Sequence, residues 1–196
     1  RDIDGSIMGT LFVDNIKQQS SQGSGTITIG ASGETVALAS GVKGNVMTPA
    51  FIAKGTSSSQ TFSLGADTKV QFPTVILDTN SGFDNTTNYR YTIPSGLGGV
   101  YHVSIQGALQ CSTAYFETWF RLFTNGTSNS DCEARIRVNG DYLNAGSSQR
   151  FNCSSLISLS AGDYIEVFAY IHSSSGGTPQ VNGDCQFFSA YRVGNS

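Results

Sequence analysis

Near its C-terminal end the chain reads GDYIEVFAYI over residues 162–171. Ile165, Val167, Ala169 and Ile171 occupy one side of a period-2 pattern, and Tyr164, Phe168 and Tyr170, interrupted by Glu166, occupy the other. Period 2 marks a β-strand, because successive side chains leave a strand on opposite faces. A strand that is apolar on both faces needs cover on both. One side packs on the domain's own core, and for the other the pattern points to a second copy of the chain. This segment alone dictates a layered β-fold and argues for an oligomer.

The same pattern recurs upstream. Val70–Phe72 and Val75–Leu77 form a pair of short strands around Pro73. Tyr89, Tyr91 and Ile93 alternate before an IPSGLGG turn, and Tyr101, Val103 and Ile105 alternate after it. Phe116 to Phe123 is another two-sided apolar run and contains Trp119. Ala134, Ile136 and Val138 alternate with Arg135 and Arg137, so that strand has one wet face. Asn139-Gly140-Asp141 is a tight-turn signal. Leu156–Leu159, the SAGD turn and two last strands bring the expectation to about eight to ten strands, a number and spacing that suit a sandwich or jelly roll. No long stretch shows period 3.6, so the chain reads as all-β.

Residues 1–48 differ in character. Leu11–Val13, Ile27, Ile29, Val36 and Leu38 are short apolar pieces between Gly/Ser punctuation. None can build a core alone. An intertwined β-stem, in which copies wrap around a common axis, would bury them together. The expected organisation is a stem and trimerisation segment over 1–48 and a knob over 49–196. Met8 is a candidate native start, with residues 1–7 upstream of it.

Charge excludes some partners. Eleven Lys and Arg against fourteen Asp and Glu give a net charge of −3, with no basic run. A nucleic-acid partner held through phosphates is therefore not expected. No apolar run approaches membrane-spanning length, so no membrane insertion is expected either. Cys111, Cys132, Cys153 and Cys185 fit no zinc spacing, and their pairing stays open. No nucleophile elbow, phosphate-binding glycine loop or HExxH is present. His102 lies inside an alternating strand and His172 at a strand end. The expectation is a protein without catalytic residues.

Several pieces, in order, resemble a known family. They are Pro49-Ala50-Phe51, Val70 to Val75, Phe83-Asp84, Pro94 with Gly98-Gly99-Val100-Tyr101, Val138-Asn139-Gly140, Leu159 to Ile165 with its Gly162-Asp163 pair, and Phe188-Ser189-Ala190-Tyr191. Together they resemble the trimeric jelly roll of complement C1q and tumour-necrosis-factor (TNF) domains. Ala190 stands where the family has glycine, Ser95 to Leu97 are extra, and no Gly-X-Y stalk precedes the domain. The leader resembles the N-terminal segments of marine bacteriophage fibre-type proteins.

The resemblance implies a homotrimer, with Trp119, Phe168, Tyr170 and Phe187 as the aromatic residues lining its interface. Some relatives bind calcium near the trimer apex; Asp131 and Asp184, each before a cysteine, are the candidate ligands. Strand directions counted back from a C-terminus at the stem end put loops near 94–99, 125–132, 147–153 and 173–184 at the far end. Asp131, Arg150 and Asp184 are the receptor-binding candidates there. The function expected is a virion fibre or spike whose knob attaches to a host-surface glycan or protein. The alternatives are a secreted C1q-like recognition module or lectin, and a purely structural capsid or tail decoration.

Overall fold

The computed structural model describes residues 49–139 and 143–194. The expected stem, with Ile27, Ile29, Val36 and Leu38, lies outside the described residues, as do Gly140 and Asp141 of the expected tight turn. In chain order the strands are β1 (Ala50–Lys54), β2 (Gln60–Thr61), β3 (Thr68–Lys69), β4 (Thr74–Asp78), β5 (Phe83–Asp84), β6 (Arg90–Thr92), β7 (Gly99–Cys111), β8 (Glu117–Thr124), β9 (Thr127–Arg137), β10 (Gln149–Leu159), β11 (Tyr164–His172), β12 (Pro179–Val181) and β13 (Phe187–Gly194). Among the described residues a 3₁₀ turn, Gly183–Cys185, precedes β13. No α-helix occurs among the described residues.

Two antiparallel sheets face each other as a sandwich. One runs β2-β12-β7-β13-β1-β4, with β10 on the other side of β7. The other runs β5-β6-β11-β8-β9, with β3 also on β11. The short strands expected as a pair around Pro73 separate: β3 joins β11 while β4 joins β1, so this stretch carries the chain from one sheet to the other.

The alternation in β11 is realised as read. Ile165, Val167, Ala169 and Ile171 are all fully buried between the sheets. They meet Tyr101, Val103 and Ile105 of β7, Phe120 and Leu122 of β8, and Phe188 and Ala190 of β13 in one core. At one end of that core Phe51 stacks on Tyr91 (4.3 Å) and Phe83 (5.0 Å) and meets Phe188 edge-on (4.9 Å). Each such ring taken from water contributes roughly 1.5–3 kcal/mol, which is how a glycine- and serine-rich chain holds two sheets together.

The turns sort into two ends. At the end where β13 finishes, Gly162 N–H donates to Ile93 O (2.9 Å), Asn125 N–H donates to Tyr164 O (2.9 Å), and Asn125 Nδ2 donates to Asp163 Oδ1 (2.8 Å). At the opposite end, Ser112 N–H donates to Thr178 O (3.2 Å), Gly146 N–H to Cys111 O (2.7 Å) and Phe116 N–H to His172 O (3.1 Å). The loops at 94–99 and 125–126 therefore sit beside the C-terminal end, not at the far end as expected. The segments 112–116, 143–148 and 173–186 form the far end.

The cause of that inversion is local. Asn125 and Gly126 both have positive φ (51° and 76°) between the paired residues Thr124 and Thr127, a two-residue primed turn that closes the β8–β9 hairpin. The next reversal is no hairpin, because β9 pairs with β8 and β10 pairs with β7. The chain changes sheet between Arg137 and Gln149. Between β9 and β10 the chain passes to the other sheet at the far end, so the strands before β10 run opposite to the directions counted back from the C-terminus.

Candidate interaction surfaces

The outer face of the six-stranded sheet carries an aromatic and cationic layer. Trp119 of β8 lies flat against Tyr170 of β11, with ring centroids 3.7 Å apart at 6°. The guanidiniums of Arg121 and Arg135 lie 5.0 and 5.1 Å from the Trp119 ring. Trp119 Nε1 donates to Asp67 Oδ1 (3.0 Å). Phe123 packs on Phe168 at 4.1 Å, and Arg90 stands 4.1 Å over the Tyr164 ring. Glu166 is buried among them and pairs with Lys69; Glu117, also buried, pairs with Arg135. Burial raises the Tyr170 hydroxyl above its ordinary pKa, and the nearby Glu117 and Asp67 carboxylates add to the rise. The second apolar side of β11, which suggested a further copy, is half-buried by neighbours within one chain.

The outer face of the seven-stranded sheet is different. Leu156, His102, Tyr191 and Ala50 stand in one row across β10, β7, β13 and β1. Ser154, Ser104, Ser189, Ile52 and Leu77 stand in the next, which reaches β4. Large apolar side chains here remain open to solvent, from Phe187 at 37% exposed to Leu156 at 62%, with Ile76, Leu77, Tyr191 and Val193 between them. These are the exposed large apolar residues among those described. All come from the strands of this sheet.

A cleft of about 480 Å³ opens at the far end, lined by Lys54, Gly55, Thr56, Ser57, Thr74, Gly183, Gln186 and Phe187. Its floor is backbone against backbone. A Cβ on Gly183 would stand 2.2 Å from Thr56 O, so only glycine lets the 3₁₀ turn approach residues 56–58. Gln186 is 2% exposed; its Nε2 donates to Asn182 O (2.9 Å), while its Oε1 is buried with no hydrogen-bond partner among the described residues. A smaller cleft of about 220 Å³ adjoins, sharing Thr56 and Gln186 and adding Ser58, Ser59, Gln60 and Gln71. Among the described residues, hydroxyls, amides, the Lys54 ammonium group, Pro73 and the Phe187 ring line the two clefts.

The residues singled out in the sequence are spread over these surfaces. Trp119, Phe168 and Tyr170 share the outer face of the six-stranded sheet, whereas Phe187 lies on the other sheet at the rim of the larger cleft. One flat contact does not contain all four. Arg150 is a strand residue of β10, not a loop residue, and its Nη1 lies 3.2 Å from Cys185 Sγ. That brings it to the 3₁₀ turn that contains Asp184. Asp131 is exposed in β9 at a register shift, and its N–H donates to Asn129 Oδ1 (3.0 Å). Asp131 and Asp184 thus lie on different elements. Among the described residues no three His, Cys, Asp or Glu side chains converge as a metal site. Sequence reading missed Lys54, Gln186 and Leu156. For Leu156 there was a signal: it is the lone apolar residue on a β10 face otherwise made of Arg150, Asn152, Ser154 and Ser158.

Comparison with known proteins supports the fold. The globular domain of zebrafish complement 1qA superposes with a TM-score of 0.50 at 14% identity, over 76% of this chain and 99% of that one. Eiger TNF from S. frugiperda gives 0.49 at 17% identity, over 76% of this chain and 94% of that one. The first of these shows that the described domain has the jelly-roll fold of a complement 1q globular domain. In sequence, the chain is 26% identical over 157 residues to the phage-like element PBSX protein XkdV of Bacillus subtilis. That match takes in 71% of this chain and 20% of the relative, so the chain spans about a fifth of that protein's length. No family model matches the chain.

Proposed function

We propose that this chain is a non-enzymatic, trimeric attachment module of a phage-type particle, and that its far end contacts the host surface. The uncovered apolar face of the seven-stranded sheet carries the reading. Exposed large apolar side chains gathered on one sheet, here set among His102 and small serines, mark an interaction site. The small serines 104, 154 and 189 in its second row leave room for another copy to approach closely. The C1q/TNF-type fold supports the same assembly, and the likeness to a phage-like element protein supports the particle. No helix among the described residues is long and apolar enough to cross a bilayer.

The far-end clefts suit a hydroxyl-rich ligand such as a host glycan. Short hydroxyl and amide side chains satisfy sugar hydroxyls in many orientations. Lys54 favours an acidic sugar. Three copies of a weak site gain avidity against a repetitive surface. Calcium held between copies by Asp131 or Asp184 is a further arm of the test. The alternative of a secreted recognition module draws on the complement-type fold and differs in where the protein is found.

The test combines assembly with attachment. Light scattering at micromolar concentration is expected to give three chains per particle. Labelled protein is expected to bind host cells and to lose that binding in Lys54→Glu, with the trimer intact and no change on adding a calcium chelator. A monomer removes the assembly. A trimer that binds no host surface leaves the structural decoration as the function.

A further inference from the structure

Cys132 lies in β9, at one edge of the six-stranded sheet, and Cys153 lies in β10, at one edge of the other. Among the described residues no ladder of hydrogen bonds joins these strands. Cys132 is buried in the core at 1% exposed, and Cys153 is half-buried against that core. Their sulfurs face each other at 3.3 Å. The remaining thiols are engaged elsewhere: Cys111 Sγ meets Thr113 Oγ1 at 3.6 Å, and Cys185 Sγ meets Arg150. The geometry therefore selects one pair among the six that four cysteines can form.

We propose that Cys132 and Cys153 are a latent inter-sheet disulfide, formed when the folded protein meets a low-molecular-weight disulfide such as oxidised glutathione. A disulfide needs sulfurs roughly 2.05 Å apart, so the two must close by about 1.3 Å. The bond would staple the open side of the sandwich and enclose the crossover from β9 to β10. It rests on the sulfur geometry alone and stands or falls separately from the attachment function.

The order of events follows from burial. The hydrogen bond shared by the two sulfurs lowers the pKa of Cys153 and raises that of Cys132, whose burial adds to the rise. The thiolate is the attacking species, and Cys153 is also the more exposed of the two. Its sulfur attacks one sulfur of the oxidant, the oxidant's S–S bond breaks, and one thiolate leaves. Cys132 then gives its proton to that thiolate and attacks Cys153 Sγ, and the second half of the oxidant leaves as a thiolate. That thiolate takes up the proton lost when Cys153 ionised. Two cysteine thiols have given up two electrons and two protons, and the oxidant has become two thiols.

The full chain, incubated with excess oxidised glutathione under native conditions, is then denatured and its thiols counted. The expected result is loss of two of the four thiols and a proteolytic peptide pair linked through Cys132 and Cys153. The thermal midpoint is expected to rise on the order of 5–10 °C, and to fall back on reduction. Cys132→Ser, stopped at the first step, is expected to keep glutathione on Cys153 and to show no such rise. If that variant does not fold, the thiol count and peptide map of the unaltered chain still decide. Four surviving thiols, a linkage through Cys111 or Cys185, or covalent dimers on a non-reducing gel would each overturn the proposal.

Discussion

Gly107, in the middle of β7, shows how tightly single positions are specified. It pairs with Phe151, and a Cβ there would lie 2.5 Å from the ring of Phe120, which packs edge-on to Phe151. Gly107→Ala is expected to destabilise the domain by about 1–3 kcal/mol through overpacking, read as a lower urea midpoint with an unchanged slope. Asp84 acts through charge. Its carboxylate accepts the backbone N–H groups of Thr87 and Thr86, the side chain of Asn88 and the Asn88 N–H. Those donors hold its pKa well below the usual carboxylate range, against a small opposing effect of burial. A group whose folded pKa is depressed stabilises fully above its unfolded pKa, near 3.9 for Asp, and loses that contribution as pH falls toward the folded value. The gap in thermal midpoint between the natural chain and Asp84→Asn should be full at neutral pH and shrink below about pH 4; a gap that is constant down to pH 2 would remove this account.

At the scale of elements, the two sheets present outer faces of opposite character. The aromatic rings of β8 and β11 are stacked and capped by arginines within the chain. The apolar side chains of β4, β10 and β13 are not. Leu156→Asp should therefore leave folding nearly unchanged, because the site is exposed in one chain. In the proposed trimer it would bury an unpaired charge, so a monomer is expected by light scattering. Phe168→Asp should do the reverse, lowering stability by about 1–3 kcal/mol through its lost contact with Phe123 while the trimer persists. If Phe168→Asp gives monomers and Leu156→Asp does not, assembly uses the six-stranded sheet. Period-2 reading found the buried face of β11 without error because alternation is local. It could not say what covers the other face, because Trp119 and Tyr170 are far apart in sequence and meet only when β8 pairs with β11.

For the whole molecule, the proposed assembly and the proposed attachment would be coupled through avidity. The Leu156→Asp monomer should keep each far-end cleft and still bind host cells at least tenfold more weakly than the trimer. Equal binding by monomer and trimer would mean that a single tight site does the work. The far end itself was half legible. Residues 173–184 and Arg150 do reach it, whereas 94–99 and 125–126 cluster with 160–163 beside the end of β13. The error came at the crossover between β9 and β10. Asn-Gly reads the same wherever it falls in a sequence: at 125–126 it closes a hairpin within one sheet, whereas the strands on either side of the second Asn-Gly pair belong to different sheets.

The sequence by itself determined an all-β sandwich, the inward residues of its long strands and the order of its elements. These follow from side-chain alternation and turn chemistry, which act over a few residues. The tertiary structure decided which outer face is satisfied and which is left bare, which cysteines meet, and which loops share an end. Each of those depends on strand pairing across tens of residues. The two-faced strand argued for a partner, and the structure moves the bare apolar surface to the opposite sheet. A ring needs cover whatever supplies it, and here Trp119, Phe123 and two arginines lie close enough to supply it from within.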